Sequence, residues 1–150
     1  MKRILSVSLG TSKRDKVAHT EIGGTEFEIS RVGTDGDKRR FARIIAEQDG
    51  FVDCFGVGGT DAYLYAGTRR YAFRETLRLM REARRTPWVD GSGLKNTLER
   101  ETVLRLENEG VLDFSKLSVL LVSAVDRFGM ADALATRARS IVFGDLLYGI

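Results

Sequence analysis

The chain has 150 residues, enough to bury a core as one domain or as two small lobes. It is 43% hydrophobic and 30% charged, the balance of a globular protein, and no apolar run reaches the roughly 18 residues that cross a bilayer. A single cysteine, Cys54, and a single histidine, His19, exclude an internal disulfide and a His/Cys zinc site, so no metal centre is expected. The segment MKRILSVSLGTS lacks the continuous apolar stretch of a signal peptide, and cytoplasmic residence is the expectation.

In chain order, Leu5, Val7 and Leu9 alternate along a first strand, and GTSKRD follows as a loop. Residues 17–22 and 25–32 read as two strands joined by Gly23-Gly24, a pair suited to a tight hairpin. Asp37 is offered as the N-cap of a helix that buries Phe41, Ile44 and Ile45 and ends near Gly50. A strand over 52–57 runs into GVGGTD, and a small hairpin over 63–73 turns at Ala66-Gly67-Thr68. A helix over 74–85 places Phe73, Leu77 and Met80 on one face, and Arg74, Arg78, Arg81 and Arg85 fall at helical spacing in a stripe along it. That stripe reads as a solvated face balanced by Glu75 and Glu82 rather than as a nucleic-acid surface. Pro87 ends the run, a short strand holds Trp88 and Val89, and DGSGLKN opens a helix over 94–108.

The closing segment reads as a strand, a tight turn, a helix burying Ala131, Leu134, Ala135 and Ala138, and a second strand leading to Asp145. Strands alternating with helices predict an α/β fold with a mainly parallel sheet and an N-terminal β-hairpin. The expected division places an α/β substrate lobe over 1–112. The first β-α-β unit of a Rossmann-like dinucleotide-binding lobe follows over 113–150.

Three loops carry polar residues where such folds bind ligands. In the closing unit, A-V-D-R-F-G over 124–129 keeps only the last glycine of a dinucleotide fingerprint, Gly129, the one that permits close helix-to-strand packing. Ser123, Arg127, Gly129 and Asp145 are the cofactor candidates, with Arg127 set for a phosphate and Asp145 for a ribose hydroxyl. Asp126 either caps the helix or repels a phosphate that Arg127 then offsets. GVGGTD clears side chains from a strand end and offers Asp61. VDGSGLKNT gathers Asp90, Ser92, Lys95 and Asn96 at a helix start, where N–H groups and a lysine suit an oxygen-rich anion. A lysine paired with a carboxylate also passes a proton to and from a hydroxyl under oxidation. The segment SLGTS resembles the first phosphate-binding hairpin of actin-like ATPases and sugar kinases, but Ser6 and Ser8 stand where those folds place an aspartate.

MKRILSVSLGTSKRD, RVGTDGD, VDCFGVGGTDAYLYAG, TPWVDGSGLKNTLER and LLVSAVDRFGMADAL…VFGDLLYGI together resemble a bacterial family labelled quinate 5-dehydrogenase. The chain resembles the N-terminal half of its members, which run to about twice this length and continue the nucleotide-binding sheet. The resemblance implies relatives of quinate/shikimate dehydrogenases. These are NAD- or NADP-dependent oxidoreductases acting on a ring hydroxyl of a small cyclic hydroxy acid such as quinate or shikimate. Lys95 is then the acid/base with Asp61 or Asp90 as carboxylate, and Ser92 and Asn96 hold substrate oxygens. The N-V-T-x-P-x-K segment of established shikimate dehydrogenases is not intact here. The alternative is a non-catalytic α/β binding protein for a nucleotide or an anionic metabolite. An open sheet edge at Ile150 would favour a homodimer.

Overall fold

A computed structural model describes residues 1–66 and 69–145. The chain is α/β and divides into two compact units, Met1–Ala62 with Ala72–Gly91, and Tyr63–Tyr71 with Ser92–Ile150. Helices that the sequence reading assigned to the lobe over 1–112 therefore belong to the second unit.

In the first unit, strand β1 (Lys2–Ser8) buries Leu5 and Val7 on one face. After one 3-10 turn (Ser12–Arg14), β2 (Lys16–Ile22) and β3 (Thr25–Gly33) form the expected hairpin. Gly23 and Gly24 take φ of 58° and 76°, the positive pair a two-residue hairpin turn demands. Helix α1 (Lys38–Gln48) follows, then β4 (Cys54–Gly58). Next in the chain come β5 (Tyr63–Ala66) and β6 (Arg69–Ala72), the small hairpin, which but for Ala72 belongs to the second unit; the centre of its expected turn, 67–68, lies outside the described residues. Helix α2 (Arg74–Leu79) and β7 (Trp88–Val89) complete this part of the chain.

The sheet runs β2-β3-β1-β4-β7, parallel throughout except for β2, which is antiparallel to β3. Because β2 pairs with β3 and not with β1, SLGTS is a strand-end loop rather than the turn of a β1–β2 hairpin. One face of the sheet carries Leu5, Val7, Phe55 and Val57 against Phe41 and Ile45 of α1 and Met80. The Asp37 carboxylate accepts the Arg40 N–H at 2.9 Å and so caps α1 as its sequence position indicates. Asp37→Ala is expected to lower stability by about 1 kcal/mol in urea denaturation. An unchanged midpoint would show that the cap adds nothing in this context.

Helix α2 departs from expectation. It ends at Leu79 in a 3-10 turn (Met80–Glu82), and its buried residues are Thr76 and Met80, with Phe73 44% exposed. Thr76 is tolerated inside because its hydroxyl meets that of Thr60 at 2.7 Å. Phe73 is the N-cap, outside the helical phase. The four arginines are all exposed, but the helix stops before Arg81 and Arg85, so they do not form one straight stripe.

In the second unit the helix expected over 94–108 is two helices, α3 (Ser92–Asn96) and α4 (Leu98–Asn108). Thr97 stands between them, its N–H and its hydroxyl both donating to the Gly93 carbonyl, at 3.0 and 2.8 Å. Strand β8 (Ser118–Leu121), helix α5 (Phe128–Ala135) and β9 (Ser140–Phe143) then form a β-α-β unit. Its two strands are parallel, from Ser118↔Ser140 to Leu121↔Phe143. The core joins Val103, Phe114, Ala133 and Leu134. Ala135, expected inside, is exposed, and Phe128 is buried instead with its ring stacked on Tyr65 at 4.1 Å. The sheet edge expected at Ile150 lies outside the described residues.

Candidate functional site

The residues picked out by sequence fall into both units. In the first unit, β1, β3 and β4 end together in SLGTS, GTDGD and GVGGTD, and these loops interlock through their backbones. Leu9 N–H donates to Gly58 at 2.9 Å, Gly36 N–H to Leu9 at 2.8 Å and Thr34 N–H to Ser8 at 2.8 Å. Gly59, at φ 68°, lies so close to β1 that a Cβ there would stand 2.6 Å from the Gly10 nitrogen. Gly59 thus serves backbone packing at the strand end, while Gly56 and Gly58 face Ser6 and Ser8 of β1. Asp35 accepts the Ser12 N–H at 2.8 Å, and the bonds from Ser12 hold its carboxyl below the usual carboxylate range. Asp90 follows β7 and accepts the Ala62 N–H at 3.0 Å, bracing the chain where GVGGTD ends. Asp61 lies in the same loop. Cys54 is half-buried on β4, and that burial pushes its thiol up, away from the thiolate a nucleophile needs.

The second unit holds the denser cluster. Lys95, at the end of α3, is paired with Asp126, which stands in the turn between β8 and α5. Their side chains are 16% and 34% exposed, so the pair is largely withdrawn from water. Arg127 follows as the N-cap residue of α5 and pairs with Glu99 of α4, while its Nε lies 3.8 Å from Asp126. Four charges therefore alternate around one turn: Lys95, Asp126, Arg127 and Glu99. Glu99 Oε2 is buried and takes no hydrogen bond from the described residues, while the charge of the carboxylate is met by Arg127 through Oε1.

Asp126 does not cap α5, since the N-cap is Arg127 and no side chain accepts from the first turn. Gly129 permits a close approach, but to a helix rather than a strand. A Cβ there would run into the Lys95 carbonyl oxygen and stand 2.9 Å from the Asn96 Cα. Asp145 reaches back from the end of β9 to accept the N–H groups of Ala124 and Val125 at 2.8 and 3.0 Å. The turn thus presents two adjacent amides to one anionic group. Ser123 contributes its carbonyl, which accepts the Arg127 N–H at 3.0 Å. Asn96 accepts from Arg100 at 3.3 Å, and Ser92 opens α3. That helix is five residues long, too short to build the N-terminal field expected of it.

Lys95 belongs to the second unit and its expected carboxylates, Asp61 and Asp90, to the first. The lysine's carboxylate within its own unit is Asp126. Sequence reasoning missed Glu99, although Lys95 and Glu99 stand four apart in GLKNTLE, the spacing that puts two residues on one helical face. Asp145→Ala is expected to leave two turn amides without their acceptor and to lower stability by about 1–3 kcal/mol, read by chemical denaturation. Asp145→Asn, which keeps one acceptor oxygen, should fall between that variant and the parent. Equal stability of all three would remove the brace.

Among the described residues no helix is long and apolar enough to cross a membrane, and no group of His, Cys, Asp and Glu is placed to hold a metal ion. Neither the curated proteins nor the solved structures contain a match to the chain. Residues 93–150 match the family model described as domain of unknown function (DUF8754), and its start falls at the division between the two units. Residues 3–90, more than half of the chain, match the model of another family, and the chain belongs to that family, described as domain of unknown function (DUF8753).

Proposed function

We propose that the protein is an NAD(P)-linked oxidoreductase acting on a ring hydroxyl of a small cyclic hydroxy acid of the quinate or shikimate class, with the β8-α5-β9 unit as a Rossmann-like cofactor half-site. The observation that carries the reading is the withdrawn Lys95–Asp126 pair in the turn of a β-α-β unit. In such units the first turn meets a pyrophosphate and an acid after the second strand meets a ribose hydroxyl. The amides of Ala124 and Val125 suit that group, because they already hold an anionic group, the Asp145 carboxylate.

On this reading the amides of Ala124 and Val125, which hold the Asp145 carboxylate in the free protein, would hold the phosphate group of the cofactor, and Asp145 would hold its ribose. Lys95 and Arg127 neutralise Asp126, which removes the repulsion it would exert on a phosphate. The bound nicotinamide supplies the hydride acceptor. Lys95, having passed its own proton through Asp126 to water, takes the proton of the substrate hydroxyl, and the pair is charged again as in the free protein. Ser92 and Asn96, on the same short helix as Lys95, hold further substrate oxygens.

Two measurements on the whole chain test this. NAD(H) or NADP(H) should raise the thermal midpoint saturably, and quinate or shikimate should then reduce the oxidised cofactor, followed by absorbance. Cofactor binding without turnover would replace the reading with a non-catalytic nucleotide-binding protein. No shift with either cofactor would sink it.

A further inference from the structure

The end of β1 runs through Gly10 and Thr11 into the 3-10 turn Ser12–Arg14, and this turn brings cations to one place in the first unit. Lys13, Arg14 and Lys16, with Arg31 from β3 and Asp15, line an open concavity of about 480 Å³. Gly10 lets them converge: a Cβ placed on it would lie 3.4 Å from Nη2 of Arg14 and equally 3.4 Å from Nη2 of Arg31. The two guanidinium groups are therefore no farther apart than twice that distance, above a residue with no side chain. The Ser8 hydroxyl stands beside them, fixed by the Gly10 N–H at 3.0 Å.

Lys16 is the direct cross-strand partner of Arg31 in the β2–β3 ladder, a placement in which like charges repel. Asp15 is the one carboxylate among the residues that line the concavity, and it pairs with Arg31 alone. Asp15 Oδ1 takes Arg31 Nη1 at 2.9 Å and the Gly33 N–H at 2.6 Å. Among the described residues Lys13, Arg14 and Lys16 form no ion pair. Three positive charges thus remain around one concavity at the carboxyl end of parallel strands, the edge at which open α/β sheets take ligands.

We infer that this pocket binds the phosphate group of a small phosphorylated metabolite. Arginine forks match the paired oxygens of a phosphate, and a dianion balances what a single carboxylate would leave largely uncompensated. A nucleic-acid backbone fits less well, because the hairpin continuing from the pocket carries Glu21, Glu26 and Glu28 and offers no basic track for a polyanion. The site lies wholly within the first unit and does not depend on the cofactor reading above.

Isothermal titration of the whole chain with inorganic phosphate and with pyrophosphate, at low ionic strength, tests the inference. Saturable one-to-one binding is expected. Arg14→Gln and Lys16→Gln should each weaken it by about tenfold, since each removes a charge-assisted bond. Arg78→Gln, an exposed arginine on α2, should leave it unchanged. Absence of saturable binding by either anion, or parental affinity in Arg14→Gln, would overturn the proposal. So would a single-stranded oligonucleotide that displaces pyrophosphate and loses affinity steeply with salt.

Discussion

Gly129→Ala is expected to destabilise the second unit by about 3 kcal/mol or more, at the upper end of what one added methyl group costs in a packed interior. The added Cβ would overlap the Lys95 carbonyl oxygen and stand 2.9 Å from the Asn96 Cα. Both are backbone atoms, so no side-chain rotation relieves the clash. Either α5 moves away from α3, or the Lys95–Asp126 pair that joins them is pulled apart. Gly93→Ala is the matched control. It lies in α3 itself, a Cβ there meets nothing within 4 Å, and its φ is not positive. Alanine at that position should be neutral or stabilise by up to about 1 kcal/mol through helix propensity. Urea denaturation of the two variants reads the contrast directly, and equal effects would mean that close approach at Gly129 is unimportant. A loss of cofactor binding in Gly129→Ala at temperatures where it stays folded would add that the same approach shapes the turn.

What the sequence reveals depends on how local the cause is. The β2–β3 hairpin and the Asp37 cap rest on residues a few positions apart, Gly23-Gly24 and Asp37 with Arg40, and both are legible. The parallel β8–β9 pair is legible for a related reason, since a strand, a helix and a strand of these lengths close most simply into a right-handed parallel unit. The phase of α2 is not. Thr76 turns inward only because Thr60, sixteen residues away, supplies a hydroxyl partner, and no window over 74–85 contains that information. The break at Thr97 is not legible either: periodicity runs straight through it, and a back-bonding threonine does not mark it, since Thr102 makes the same bond to Leu98 inside α4.

The same distinction governs the site. Lys95 and Asp145 were picked out as residue types at expected spacings, and each holds a defined bond in the structure. Their partners were not foreseen. Asp126 meets Lys95 across thirty-one positions once α3 packs beside the β8–α5 turn, and Asp145 meets the amides of Ala124 and Val125 across about twenty once β9 pairs with β8. The basic concavity at Gly10 escaped for the opposite reason. Lys13, Arg14 and Lys16 are adjacent in the chain and look like an ordinary solvated run until Arg31 is brought beside them by the hairpin register.

Lys95→Ala carries the largest functional effect. If Lys95 takes the substrate proton, its removal should lower turnover by about a hundred- to ten-thousandfold, the span that one general acid/base supplies. The fold should survive, because Asp126 retains Arg127 at 3.8 Å and is not left as an isolated buried charge. Unfolding in urea with a midpoint close to the parent's, together with an unchanged thermal shift by NAD(H) or NADP(H), would place the loss in chemistry rather than in structure. Asp126→Asn separates holding from proton transfer: an amide still accepts a bond from the lysine but carries no charge. Turnover should therefore fall less in Asp126→Asn than in Lys95→Ala if Asp126 only positions the lysine, and as far if it also carries the proton onward. Parental turnover in Lys95→Ala would remove the lysine from the mechanism. The cluster at the β8–α5 turn would then stand as a structural network, four charges balancing one another around Gly129.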